Sequence, residues 1–265
     1  MKVPVLMEPL IFVNTIIIIT YMITEARVSQ FISVERHGAA ALVTFRRPEV
    51  MNAWNTAMRR ELVAAMEACE ADAGVRAVVF TGEGPRAFGA GGDLKEPGPA
   101  RDEVSAWVGA WGHFYGTLRA LSCPTIAALN GVAAGSSFQF ALMADFRVAH
   151  AGVRMGQPEI RSGIPSSMGP WLIREMLGAR LATDLCLSGR MMPGEECQRL
   201  GLFNRVVAPE EVVPEALRLA EELAAQPDLA FRLTKARLRA LSEPGFQESL
   251  VLWADMLRES LTARD

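Results

Sequence analysis

The residues able to do chemistry lie mainly in two glycine-bearing stretches and one glutamate. Residues 130–159, NGVAAGSSFQFALMADFRVAHAGVRMGQPE, carry a small-residue turn, a helix start and the carboxylate of Glu159. Residues 124–130 are β-branched and apolar, 131–135 are small, and 136–143 have helical composition, so the order reads strand, turn, helix. A helix start leaves backbone N–H groups without partners, and the positive end of the helix dipole reinforces them. Such donors hold an anion, or an oxygen that gains negative charge during a reaction. Ser136 and Ser137 supply the N–H groups that point that way. A second stretch, AFGAGGDLKE at 87–96, follows a strand-like run at 76–81 and offers another backbone donor, because glycine lets the chain approach a ligand closely.

These groups belong to a chain of 265 residues with net charge -3 and 50% hydrophobic content, which is globular, of one or two domains, with ample material for a core. No basic block or aromatic-basic interleaving provides a nucleic-acid surface. Cys69, Cys123, Cys186 and Cys197 form no CxxC pair, and His37, His113 and His150 are isolated. Neither a metal site nor a disulfide framework is expected, and a reducing cytoplasm fits best. Residues 1–29 fit least well. Their run LIFVNTIIIIT is short of a membrane span, has only Lys2 as a cation upstream and precedes no small-residue cleavage site. They read as an extension outside the functional fold, with Met22 as an alternative start. An added surface strand or helix, and a membrane or organelle address, are the competing readings.

The elements that must position the chemistry follow from periodicity. FISVER and ALVTF alternate as a hairpin with His37-Gly38 in the turn. Asn55 caps a helix whose apolar residues Met58, Leu62, Met66 and Cys69 share one face, and RAVVFTG returns as a strand. This strand, helix, strand unit repeats, and its glycine-rich turn lies where open α/β arrangements place ligands, beyond the carboxyl ends of strands. VSAWVGAWGHFYGTLRAL has helical spacing and shapes a pocket. Its aromatics Trp107, Trp111, Phe114 and Tyr115 read as core and interface packing, since large rings are buried for area alone, and His113 as a partly exposed helix residue. Ser166 or Ser167 caps a helix carrying Trp171, Ile173 and Leu177 inward. LFNRVVA is a last short strand, and EEVVPEALRLAEELAAQ, LAFRLTKARLRAL and FQESLVLWADMLRESL read as three amphipathic helices.

The pair AFGAGGDLKE and NGVAAGSSFQ, followed by GQPEIRSGIP, resembles the crotonase superfamily, the enoyl-CoA hydratase/isomerase enzymes. RRPEVMNAWN near the front and LSGRMMPGEECQRLGLFNRVV further on extend the resemblance over residues 30–265. It implies an α/β fold, a crotonase-like spiral of ββα units with a carboxyl-terminal helical trimerisation region. The divisions expected are 1–29 for the extension, 30–207 for the acyl-CoA-binding core and 208–265 for the helical region. A homotrimer or hexamer follows by the same likeness. Many relatives continue through another helix that helps close a neighbour's CoA site.

By resemblance the substrate is an acyl-CoA thioester and no cofactor is bound, coenzyme A being part of the substrate. Removing a proton beside the thioester carbonyl makes an enolate, and the backbone N–H groups of Gly92 and Ser136 are the donors that stabilise it. The family usually has glycine where Ser136 stands. Its hydratases use two glutamates, of which the second is Glu159 and the first is replaced here by Gln139. A carboxamide orients water or a carbonyl but does not take up or release a proton at accessible pH. Without the motif, Glu159 reads as a surface loop glutamate and Gln139 as a hydrogen-bonded core residue. Asp93 resembles a structural aspartate that braces the loop. Lys95 meets a CoA phosphate or is simply exposed, and Ala53, Ala90 and Leu94 line the adenine or pantetheine path. GIPSSMGP is a residue shorter than the family's GxIPGAGG stretch, so the pocket floor differs. Adding water across a double bond needs two groups whereas moving a double bond needs one shuttling base, so isomerisation is favoured. Hydration with Gln139 holding the water, hydrolysis or decarboxylation are alternatives, as is a catalytically attenuated acyl-CoA-binding scaffold.

Overall fold

The computed structural model describes residues 29–263, so the expected extension, up to residue 28, lies outside the described residues. From Phe31 onward the chain forms a single unit. The alternating apolar residues of β1 (Ile32–His37) and β2 (Ala40–Phe45) pair antiparallel. Because His37 faces Ala40, the turn is Gly38-Ala39, one residue later than the pattern indicates, with Gly38 at φ 57. Asn55 caps α1 (Thr56–Ala71), its side-chain oxygen accepting from Met58 N at 2.8 Å. The predicted face of Met58, Leu62, Met66 and Cys69 is buried.

From β3 (Ala77–Gly82) the chain winds alternately between two sheets. β3, β5 (Thr125–Leu129) and β7 (Phe146–His150) run parallel in a six-stranded sheet of order β1-β2-β3-β5-β7-β10, where β10 is Arg205–Val207. β4 (Ala87–Gly89), β6 (Val132–Ala134) and β8 (Arg154–Gly156) lie in a four-stranded sheet closed by β9 (Met191–Pro193). Each two-strand step is followed by a helix: α2 (Val104–Ala120), then α3 (Ser136–Met143), then a 3-10 turn (Pro158–Ser162) leading into α4 (Met168–Leu177). This is the expected spiral of ββα units, an α/β fold. Residues 131–135, read as a simple turn, contain β6. Three residues with small side chains give too short a period to register as a strand, and pairing with β4 and β8 makes them one.

α5 (Ala179–Ser188), α6 (Gly194–Arg199), α7 (Val212–Ala224) and α8 (Asp228–Thr262) complete the unit. Alternation along the central strands divides the core. Val78, Phe80, Ala127 and Leu129 pack with α1, α2 and α3, whereas Ala77, Val79, Ile126 and Ala128 pack against Val212, Ala216, Leu219 and Ala220 of α7.

The expected last two helices are one, α8, which passes through Pro244. Proline removes a helical hydrogen bond, but the chain on either side is held by the rest of the molecule. Arg119 donates to Ser242 Oγ at 3.2 Å and Glu243 Oε2 at 2.9 Å, and its guanidinium lies 4.6 Å from the Phe246 ring. Lys235 Nζ donates to Asp145 Oδ2 at 2.6 Å and to the Cys123 carbonyl at 2.7 Å. Ser167 stands at the N-cap of α4 without a side-chain capping bond. Of that helix's expected inward residues Ile173 is buried, while Trp171 and Leu177 are partly so. No described helix is long and apolar enough to cross a membrane.

Candidate active site

The glycine-rich turns after β4 and β6 meet at one end of the spiral. Trp54 N donates to the Gly91 carbonyl at 2.8 Å and Asp93 N to the Trp54 carbonyl at 3.1 Å, so the N–H of Gly92 between them is left over. The Ser136 N–H opens α3, after Gly135 at φ 55 and ψ -125, and has no intrahelical carbonyl to reach. Neither N–H has a backbone partner among the described residues. Gly91, at φ 90, makes their approach possible: a Cβ there would stand 2.7 Å from the Ala134 carbonyl and 3.3 Å from Ser136 N. Ser137 Oγ, accepting from Gly91 N at 2.9 Å, ties the two turns together.

Both turns open into a cavity of about 430 Å³. Ala90, Gly92, Asp93, Leu94, Ser136, Gln139 and Glu159 all line it, so most residues singled out in the sequence share one space. Lys95 is exposed beside it, and Ala53 is buried with its carbonyl bonded by Arg47. Arg47 also pairs with Asp93 at 3.0 Å, while Asp93 Oδ1 accepts from Lys95 N at 3.1 Å. Asp93 therefore braces its own loop. Those two hydrogen bonds and the Arg47 and Lys95 charges outweigh partial burial and hold its carboxyl below the usual range.

Glu159 sits on the 3-10 turn, over the start of α3. Gly135 holds a backbone at φ 55 that residues with a side chain rarely adopt, and a Cβ there would only touch Glu159 Oε1, at 3.4 Å. Burial pushes the Glu159 carboxyl above its ordinary value, opposed by hydrogen bonds from Ser166, Gln157 and Gln139. Gln139 Nε2 donates to Glu159 Oε1 at 3.2 Å, and Gln139 Oε1 accepts from the Tyr115 hydroxyl at 2.8 Å. The Ser136 hydroxyl bonds the same phenol, whose ionisation is pushed well up by burial and by the Glu159 charge. Gln157 Nε2 donates to Ser166 Oγ at 3.1 Å.

Periodicity misses three residues of the site. Helical spacing reads Tyr115 as core packing, and the ring is indeed buried, but its hydroxyl is the partner of Gln139. The available signal was that a buried tyrosine hydroxyl needs one. Ser166 bonds the carboxylate rather than capping α4. Arg59, on the buried face of α1, also lines the cavity, with Trp107, Trp111 and Trp253.

The assembled site has two backbone N–H groups without a backbone partner, the buried carboxylate of Glu159, and an amide bonded to it. With a ββα spiral around it, this is the architecture of the crotonase superfamily. Residues 35–265 match the family model described as enoyl-CoA hydratase/isomerase. A probable enoyl-CoA hydratase of Rhizobium meliloti is 40% identical over 72% of this chain and 74% of its own. The short-chain-enoyl-CoA hydratase of Clostridium acetobutylicum is 30% identical over 88% of this chain and 90% of its own. Among solved structures, enoyl-CoA hydratase subunit I of Geobacillus kaustophilus is similar at a TM-score of 0.74 and 34% identity, covering 90% of this chain and 91% of that one. A carnitinyl-CoA dehydratase of Mycobacterium avium is similar at a TM-score of 0.75 and 30% identity, covering 86% and 93%. The chain belongs to the enoyl-CoA hydratase/isomerase family of enzymes.

Proposed function

We propose that this enzyme moves a double bond within an acyl-CoA thioester, with Glu159 as the one shuttling base. The observation that carries the reading is the neutral amide of Gln139 bonded to Glu159, where a second carboxylate would be needed for two-group chemistry. The other cavity carboxylates are engaged: Asp93 with Arg47, and Glu96 with Arg59 and Thr56 N. In the proposed reaction, ionised Glu159 removes a proton from the carbon between the thioester carbonyl and the double bond of a 3-enoyl ester. Charge moves onto the thioester oxygen, which accepts from the N–H groups of Gly92 and Ser136. Glu159 then returns the proton to the γ carbon, leaving the 2-enoyl ester. Gln139 holds the carboxylate and takes no part in the proton balance. Removing one oxyanion donor costs about 2.7–4 kcal/mol in other enzymes, which makes the donor pair the largest single contribution here.

The named relatives favour a second reading, hydration, in which Gln139 holds a water that Glu159 activates. Incubating 3-enoyl and 2-enoyl CoA esters in deuterium oxide, with and without Glu159→Gln, separates the two. Glu159-dependent exchange and 3-enoyl to 2-enoyl conversion with little 3-hydroxyacyl product is the expected result, and rapid water addition would replace it by the hydratase reading. We further propose a cytoplasmic homotrimer or hexamer. Leu229, Leu233, Leu238 and Leu241 of α8 are exposed in the single chain, as helix positions awaiting a subunit interface would be.

A further inference from the structure

We propose that the acyl pocket runs along the end of this chain's own α8, so that the acyl group is an apolar chain of about eight carbons rather than a short one. This rests on the acyl-CoA reading above and adds the class of acyl group.

Trp253, Leu257 and Leu261 recur at every fourth position of α8, so they share one helix face, and all three line the cavity. At a rise of about 1.5 Å per residue, that stripe extends about 12 Å. It begins beside an oxyanion donor. Trp111 Cζ2 lies 3.7 Å from where a Cβ on Gly92 would stand, and the Trp111 ring is centred 6.1 Å from that of Trp253. From there α8 runs back along α2. Trp253 packs against Trp107 with ring centres 5.2 Å apart, and Arg258 Nη2 donates to Ser105 Oγ at 2.6 Å. The stripe therefore leads from the reacting centre toward the start of α2.

A four-carbon acyl group would leave most of this face bare. Its first and last carbons are three bonds apart, about 3.8 Å, the span between consecutive Cα atoms, whereas an extended eight-carbon chain reaches about 9 Å.

The wall along this path is hydrocarbon. Trp111 and Trp253 bury their indole N–H groups, so the ring atoms they offer a ligand are carbon. The charged residues at this end are engaged by the fold. Glu96 accepts from Thr56 N at 2.9 Å and pairs with Arg59, whose guanidinium is covered by the Trp111 ring at 4.1 Å. Leu257 and Leu261 are only partly buried by the protein, and methylenes laid against them remove the remaining apolar surface from water. That gain selects the longer chain.

Calorimetric binding of butanoyl-, hexanoyl- and octanoyl-CoA to the full chain tests this without needing turnover. Octanoyl-CoA should bind at least about tenfold more tightly than butanoyl-CoA. Leu257→Trp fills the middle of the stripe and should weaken octanoyl-CoA about tenfold while leaving butanoyl-CoA within about twofold. Leu261→Trp, one turn further out, should weaken octanoyl-CoA but not hexanoyl-CoA, and it decides the matter if bulk at 257 disturbs the packing against α2. Equal affinity for butanoyl- and octanoyl-CoA in the unaltered protein would overturn the proposal, and so would octanoyl-CoA binding unmoved by both variants, which would place the chain elsewhere. Binding of none of the esters, nor of CoA itself, would overturn the acyl-CoA reading and the proposal with it. Binding that follows the expected order without double-bond movement would leave the proposal standing and remove the isomerase reading alone.

Discussion

The Gln139 amide donates to Glu159 across 3.2 Å, and the Tyr115 hydroxyl, 2.8 Å from Gln139 Oε1, fixes which end of the amide faces the carboxylate. An amide turned the other way would place two oxygens against each other. The orientation of a neutral side chain thus sets how readily the one unpaired cavity carboxylate ionises.

Tyr115→Phe removes the group that fixes Gln139. The hydrogen bond from Gln139 opposes the rise in the Glu159 pKa, so weakening it raises that pKa further. The acidic limb of the kcat/KM profile should move to higher pH, and the unpaired Gln139 oxygen should cost about 1–3 kcal/mol of stability by denaturant titration. An unchanged pH profile with lowered stability would assign Tyr115 to packing alone.

Gln139→Glu places a second carboxyl within hydrogen-bond reach of Glu159. Two carboxyl groups this close share a proton, so the pair titrates with one apparent pKa raised above that of Glu159 in the parent protein. Activity should require higher pH, and water addition to a 2-enoyl ester should appear or increase. Product analysis by chromatography reads the second effect directly.

Glu159 also links stability to pH. Its carboxyl is raised above the ordinary value of 4.5, so the folded state keeps a proton that the unfolded chain has released. Stability therefore falls as pH rises from that value through the folded pKa, while catalysis that needs the ionised base rises over the same window. Glu159→Gln should gain in Tm relative to the parent as pH increases across it, and should lose turnover by about 10²–10⁴-fold. Melting curves and rates over one pH series check both signs.

Gly91→Ala introduces a Cβ 2.7 Å from the Ala134 carbonyl at φ 90. The turn must shift, and with it the Gly92 donor. A fall in kcat of about 10²–10³-fold is expected, as for loss of one oxyanion donor. Circular dichroism of the variant, showing retained secondary structure, would locate the loss at the site.

Gly245→Ala reverses a general expectation. In a helix interior alanine is favoured over glycine by about 1 kcal/mol. Here the added Cβ would meet Trp171 Nε1 at 2.2 Å, beside the only proline within α8. Overpacking of this kind costs about 1–3 kcal/mol, so the variant should be less stable. A raised Tm would show that Trp171 moves aside freely.

Much of the framework is dictated locally and is legible in the chain itself. Asn55 and the spacing of Met58, Leu62, Met66 and Cys69 determine α1, the alternation in FISVER and ALVTF determines the hairpin, and residues 136–143 specify α3. The two glycine turns and Glu159 are also recognisable there, because their requirements are local: a backbone conformation, a helix start and a side-chain type. The identity of their partners was decided only by tertiary structure. Tyr115 and Gln139 are 24 residues apart, and Arg59 and Glu96 are 37 apart. No period connects such pairs. The same holds for α8, where Pro244 and Gly245 look like a helix break until Arg119 and Trp171 are packed against them. Sequence determines conformations that adjacent residues can stabilise together, whereas the protonation of Glu159, the orientation of Gln139 and the donors facing the cavity depend on groups that only the folded spiral brings within hydrogen-bonding distance.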